Sequence, residues 1–319
     1  MSIFDERINY KPFEYSECQR FIEAIQGSYW VASEFNFSQD IVDFHLLSEG
    51  EQDCLKKSML AISQVEISVK QFWGSLYERL PKPEFNSVGA VFSESESRHS
   101  EVYSKLLEVL GLNDEFEKIF TIPCIIGRVN YLKKYKTYLK DEDPRNFLKA
   151  LILFSLFVEN VSLFSQFFII ANFKKHKNIF VDMTGAVTAS AKDELLHAEF
   201  GIYIINEIKK EFPDMWDSSL KQSIVRFAQK SYDAECKVLD WIFYKPCFIK
   251  KGLVKDFLKH RFNESLEKIG IPKCFEVTNL DEFSWYNDEL TTSVHGDFFV
   301  GRPSTYSAHS KPISAKDLF

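Results

Sequence analysis

Four glutamates of this chain stand where a helix would be expected to present leucine or phenylalanine, and no other feature of the sequence restricts the possible folds as much. Met59, Ile62, Glu66, Val69 and Trp73 follow one another at three- and four-residue intervals, the spacing of one face of an α-helix. The same rhythm runs through Phe92, Glu96, His99, Tyr103, Leu106 and Leu110, and again through Ile152, Leu156, Glu159, Leu163 and Gln166. A fourth stripe contains Val187, Glu194, His197, Ile204 and Ile208. A carboxylate carried into a core without a partner costs several kcal/mol or gives up its charge. These four therefore require compensation inside the fold.

Period-two alternation is nearly absent, while helical spacing recurs from Ser16 to about Lys268, so the expected class is all-α. Candidate helices run over Ser16–Gln26, Ser48–Tyr77, Val88–Leu110, Phe116–Leu139, Pro144–Phe173, Val187–Glu211 and Ser218–Phe243, with shorter ones from Lys251 to Lys268. They are separated by Pro81 and Pro83, Gly111 to Asp114, Asp141 to Pro144, and Pro213. With 12 Gly and 10 Pro in 319 residues and no linker-like stretch, one large domain over 1–285 is expected, followed by a flexible tail over 286–319. The 31 Phe imply an aromatic core able to seal a site from water.

Charge and composition exclude several roles. Lys and Arg total 39 against 46 Asp and Glu, a net charge of -7 that provides no footprint for nucleic acid. The run Ala150–Phe173 is long and apolar enough for a membrane span, but it carries Ser155, Glu159, Asn160, Ser162, Ser165 and Gln166, so a helix buried in protein is expected. The six cysteines are widely spaced and no secretory signal precedes them, which predicts reduced thiols in a cytoplasmic protein.

The inward polar residues form a recognisable set: lone glutamates Glu66 and Glu159 on two helices, and the Glu-x-x-His pairs Glu96/His99 and Glu194/His197 on two others. Residues at i and i+3 lie on one helix face a turn apart, so each pair can reach the same two metal ions. Four carboxylates nearly neutralise two divalent ions, and two imidazoles complete an oxygen-rich set suited to iron or manganese. This is the ligand set of a dimetal-carboxylate site in a ferritin-like helical bundle. A single Glu-x-x-His is common on solvent-facing helices; two in register with two further inward glutamates are not. His45, His176, His260, His295 and His309 have no comparable setting and are read as surface or satisfied histidines.

Around these residues the sequence resembles the small, radical-generating subunit of class I ribonucleotide reductase, over almost its whole length. Glu96-Ser-Arg-His99-Ser-Glu-Val-Tyr103 is similar to the family's Glu-x-x-His-x-x-x-Tyr signature, and Lys192-Asp193-Glu194-Leu-Leu-His197 to its second metal motif. Tyr29-Trp30-Val-Ala-Ser-Glu34, with Ser38 and Asp40 beyond it, resembles the N-terminal Phe/Tyr-Trp-x-x-x-Glu element. Asp297-Phe-Phe-Val-Gly-Arg302-Pro-Ser-Thr-Tyr306 resembles the segment leading to the family's tail tyrosine.

The resemblance implies long-range radical transfer: an oxidised metal pair, with or without Tyr103, then His99, Asp193 and Trp30, then Tyr306 on the tail, and finally a cysteine of a separate large subunit that reduces ribonucleotides to deoxyribonucleotides. It further implies a homodimer and docking on the large subunit through Lys316-Asp317-Leu318-Phe319. Most of the family has Asp as the first ligand. Glu66 in its place, together with a retained Tyr103, looks more like the dimanganese subgroup, which is activated by a flavoprotein; diiron and mixed manganese/iron centres are the alternatives. The competing readings are a ferritin-like ligand-binding oxidase not coupled to nucleotide reduction, a ferritin-type metal store, and a structural bundle without metal.

Overall fold

The structure, a computed structural model, describes residues 2–141 and 143–290. Eleven α-helices occur among them: α1 (Cys18–Gly27), α2 (Ser38–His45), α3 (Glu49–Gly74), α4 (Pro83–Val109), α5 (Asn113–Glu117), α6 (Pro123–Lys136), α7 (Pro144–Leu151), α8 (Leu163–Lys177), α9 (Val181–Glu211), α10 (Ser218–Ile242) and α11 (Lys251–Lys268). A π-helical segment, Ile152–Ser162, joins α7 to α8 into one rod. No strand occurs among the described residues, and the all-α expectation holds.

Four long elements make the bundle. α3 lies along α4, the rod lies along α9, and the two pairs meet face to face. α1 crosses α4 and α9, while α10 and α11 cover the rod from the other side. Every residue from Ala150 to Phe173 is buried, so the most apolar stretch is a core helix, as expected. Stacked rings such as Phe72 on Phe154 and Phe168 on Phe257 fill the space around it. All six cysteines are free thiols.

Several boundaries differ from the sequence reading. Pro83 begins α4 instead of preceding it, and Pro123 begins α6, splitting the helix expected over Phe116–Leu139. A proline in the first helical turn lacks only an N–H that has no intrahelical acceptor, so it starts a helix as readily as it ends one. α9 begins at Val181, earlier than the expected Val187. α2, with eight residues, is too short to show a period and was not expected. Tyr286 and Leu290 are buried, Tyr286 against Phe168 and Phe257, so the packed body continues past the 285/286 boundary. Tyr306 and Lys316 to Phe319 lie outside the described residues.

α2 sets the entry into α9. The joint from α8 passes through Asn178 and Phe180, both left-handed with φ of 55° and 59°. For a phenylalanine this conformation costs about 1–2 kcal/mol. It is offset by full burial of the Phe180 ring and by two carboxylates of α2: Asp43 accepts the Phe180 N–H at 3.2 Å and Asp40 that of Met183 at 2.6 Å. Acceptors at this end also complement the helix dipole. Burial pushes the Asp40 carboxyl up to about 6.

α9 approaches the π-helical segment closely at Gly201. A Cβ there would stand 2.1 Å from Ser155 Oγ and 2.3 Å from Ser155 Cβ, while that hydroxyl is tied to the Leu151 carbonyl at 2.7 Å. Gly201→Ala should therefore destabilise the fold by about 1–3 kcal/mol or more. Chemical denaturation measures this, and an unchanged midpoint would show that the two helices separate without cost.

Candidate metal centre

The bundle brings the six inward residues to one place. α3 supplies Glu66, α4 supplies Glu96 and His99, the π-helical segment supplies Glu159, and α9 supplies Glu194 and His197. Their potential ligand atoms form two overlapping groups, Glu66/Glu96/His99/Glu194 and Glu96/Glu159/Glu194/His197, with the atoms of each within 4.8 Å of one another. All six side chains are at most 1% exposed.

The distances distinguish shared from unshared carboxylates. Glu96 turns Oε2 toward His99 Nδ1 at 3.3 Å and Oε1 toward His197 Nδ1 at 3.1 Å. Glu194 does the same, with Oε1 at 3.1 Å from His99 Nδ1 and Oε2 at 3.2 Å from His197 Nδ1. Glu66 stands only by His99, at 3.7 Å, and Glu159 only by His197, at 3.6 Å. The geometry is that of two adjacent positions spanned by Glu96 and Glu194.

The donor atoms fit a pair of cations. Both oxygens of Glu66, both of Glu96, Oε1 of Glu194, Oε2 of Glu159 and Nδ1 of His99 are buried with no hydrogen-bond partner. Each such orphan costs about 1–3 kcal/mol, and here they converge on a common space. The opposite ring nitrogens are engaged from behind: His99 Nε2 meets Asp193 Oδ2 at 3.1 Å, and His197 Nε2 meets Ser95 Oγ at 3.0 Å. This arrangement orients an imidazole ligand and directs Nδ1 to the metal side.

Without cations, protons provide the compensation. Burial pushes the Glu66 carboxyl well above the usual carboxylate range and that of Glu159 up to about 8. Burial also opposes charge on Glu96, but His99 and His197 outweigh it and hold that carboxyl below its ordinary value. Burial likewise disfavours the imidazolium forms, yet Glu96 chiefly holds His99 high and Glu159 chiefly holds His197 high. Metal ions would displace these protons.

A polar line leads away from His99. Asp193, fully buried, uses Oδ2 to accept from His99 Nε2, from Trp30 Nε1 at 3.0 Å and from Arg98 Nη1 at 3.5 Å. Trp30 stacks on the His99 ring at 5.7 Å with 10° between the planes. Arg98 also reaches the Trp30 carbonyl at 3.3 Å and lies over the half-exposed Tyr29 ring at 4.6 Å, so the line ends near the surface. Tyr103 is buried with its ring 6.4 Å from that of His99, and its hydroxyl finds no hydrogen-bond partner. Burial, reinforced by Glu66, raises its pKa well above the ordinary value.

The sequence reading thus named all six clustered residues together with Tyr103, Asp193 and Trp30, while His45 and His176 are exposed and His260 pairs with Glu264 at 3.4 Å. It missed Ser95, Arg98 and Trp73, whose indole donates to Glu159 Oε1 at 2.5 Å. Trp73 was legible as inward-facing, since it shares a stripe with Glu66; its partner lies on another helix.

A sequence model described as "Ribonucleotide reductase, small chain" matches residues 7–282. A protein named probable ribonucleoside-diphosphate reductase small subunit, from Invertebrate iridescent virus 3, is 25% identical over 97% of this chain and 87% of its own length. Among solved structures, the ribonucleotide reductase R2 subunit from Clostridium botulinum shares the fold with a TM-score of 0.81 at 16% identity, over 89% of this chain and 91% of that one. An R2-like ligand-binding oxidase variant reconstituted with a Mn/Fe cofactor shares it with a TM-score of 0.63 at 18% identity, over 83% of this chain and 96% of that one.

Proposed function

This chain belongs to the ribonucleotide reductase small-chain family, and from that premise we propose that it is the radical-generating subunit of a class I ribonucleoside-diphosphate reductase, acting with a separate large subunit to form deoxyribonucleotides. The observation that carries this reading is the unbroken contact from the carboxylate cluster through His99 and Asp193 to Trp30. A metal store or a structural bundle has no use for such a line.

Two metal ions, manganese in this proposal, would be held by Glu66, Glu96, His99, Glu159, Glu194 and His197, and when bound they supply the one-electron oxidising chemistry. The protein's own contribution is to govern the proton and the route. Trp30 can release an electron most readily if its N–H proton has an acceptor, and Asp193 Oδ2 is in place to take it. Arg98 and the His99 ring fix that carboxylate, and the aromatic packing around Trp30 and Tyr103 excludes water. Tyr306 is proposed as the next relay in the tail, and Lys316 to Phe319 as the segment that docks on the large subunit. A homodimer, a flavoprotein activase and a cytoplasmic setting complete the proposal.

A ligand-binding oxidase is the second reading, favoured by Glu66 and by the fold shared with such enzymes. One experiment separates the two: metal analysis and electron paramagnetic resonance on the activated protein, followed by addition of the large subunit and a ribonucleoside diphosphate. The expected result is two manganese ions per chain with a coupled metal signal, and deoxyribonucleotide formation on mixing. An iron pair with an organic radical signal would move the oxidant to Tyr103. A loaded, activated protein that supports no nucleotide reduction would leave the oxidase reading.

A further inference from the structure

The two halves of the cluster are not equivalent, and the difference lies in a tryptophan. Trp73 Nε1 donates to Glu159 Oε1 at 2.5 Å, leaving Oε2 as that residue's only oxygen without a hydrogen bond. Glu66, its counterpart at the other position, has both oxygens unengaged. The indole has no room to turn elsewhere. Trp73 is 1% exposed and is held between Phe72 at 4.8 Å and Phe92 at 5.1 Å, with the His197 ring 5.5 Å away. Trp73 stands two helical turns after Glu66 on the same face of α3. One helix thus delivers a ligand to one position and a fixed donor to the ligand of the other.

We infer that Trp73 is a positioning residue: by occupying one oxygen of Glu159 it presents the second oxygen to the metal position shared with His197, and it sets the affinity of that position alone. The inference rests on the two-metal reading above. A carboxylate on a π-helical segment, flanked by the shared carboxylates Glu96 and Glu194, is repelled by both; a fixed N–H holds it in place without adding charge that would compete with a cation. Loss of an outer hydrogen bond of this kind costs about 10–100-fold in metal affinity.

The test is titration of the metal-free full-length protein with Mn²⁺, following free Mn²⁺ by electron paramagnetic resonance. Wild type should bind two ions per chain. In Trp73→Phe one of the two should weaken by about tenfold while the other changes less than about twofold. Phe72→Leu, which loosens the same packing without touching a ligand, should leave both unchanged. On a Glu159→Ala background, Trp73→Phe should have no further effect, because the two residues act through one bond. If Trp73→Phe loses its helical structure, a benzothienylalanine at position 73 removes only the N–H and keeps the ring. Equal weakening of both ions, no weakening, or an additive loss on the Glu159→Ala background would each overturn the role of Trp73. Wild-type protein that binds fewer than two ions would overturn the two-metal reading itself, and this inference with it.

Discussion

Replacing Glu194 by alanine should empty both metal positions while leaving a helical protein. Its two oxygens face the two imidazoles separately, at 3.1 Å and 3.2 Å, so its loss removes a donor from each position at once. Outer hydrogen-bond partners already cost about 10–100-fold in affinity, so a carboxylate shared by both ions should cost at least about 100-fold at each. The fold should persist, because α9 is anchored along its whole length by Met183, Phe200, Ile204 and Ile208, all fully buried. Elemental analysis after gel filtration, with circular dichroism on the same sample, reads both quantities. Glu66→Ala provides the contrast, since Glu66 stands by one imidazole only and should weaken one ion. Retention of either ion at full occupancy in Glu194→Ala would remove Glu194 from its shared place.

Asp193→Asn should keep both metal ions and lose nucleotide reduction. The substitution preserves volume and an oxygen that Trp30 and His99 can reach, so the packing around a fully buried side chain is undisturbed. What it removes is the capacity to take a proton from the indole and the charge that Arg98 faces at 3.5 Å. A positioned proton acceptor contributes about 10²–10⁴-fold, and the turnover measured with the large subunit should fall by that range while metal content stays at two per chain. Some stability should go as well, because Arg98, 4% exposed, would lose the buried one of its two carboxylate partners and keep only Glu94, at 3.1 Å. Turnover within tenfold of wild type would show that the Trp30 proton goes elsewhere.

These predictions use residues that were unequally visible in the sequence. Glu96 with His99, and Glu194 with His197, could be read at once, because three residues along an α-helix is a local distance that any helix enforces. Glu66 was legible for the same reason, as one polar member of an apolar stripe on α3. Glu159, which the fold brings into the cluster, was named on a weaker argument. The stripe through Ile152, Leu156 and Leu163 assumed α-helical spacing, whereas the backbone there is π-helical and every residue from Ala150 to Phe173 is buried. Where all faces are apolar, periodicity selects none of them. The prolines misled in another way: Pro83 was read as a break and Pro123 as the interior of a helix, and each begins one.

The sequence by itself determined the chemistry: four carboxylates and two imidazoles directed inward, an all-helical chain to carry them, and an aromatic core around them. Only the tertiary structure decided how that chemistry is arranged. It made Glu96 and Glu194 shared and Glu66 and Glu159 unshared, gave His197 to Ser95 and Glu159 to Trp73, and joined Trp30 to Asp193 and Arg98. Periodicity reports which way a side chain faces along its own helix. The partner it meets depends on how far neighbouring rods slide and rotate against each other, and here that is set by contacts such as Gly201 on Ser155 and the capping of α9 by Asp40 and Asp43.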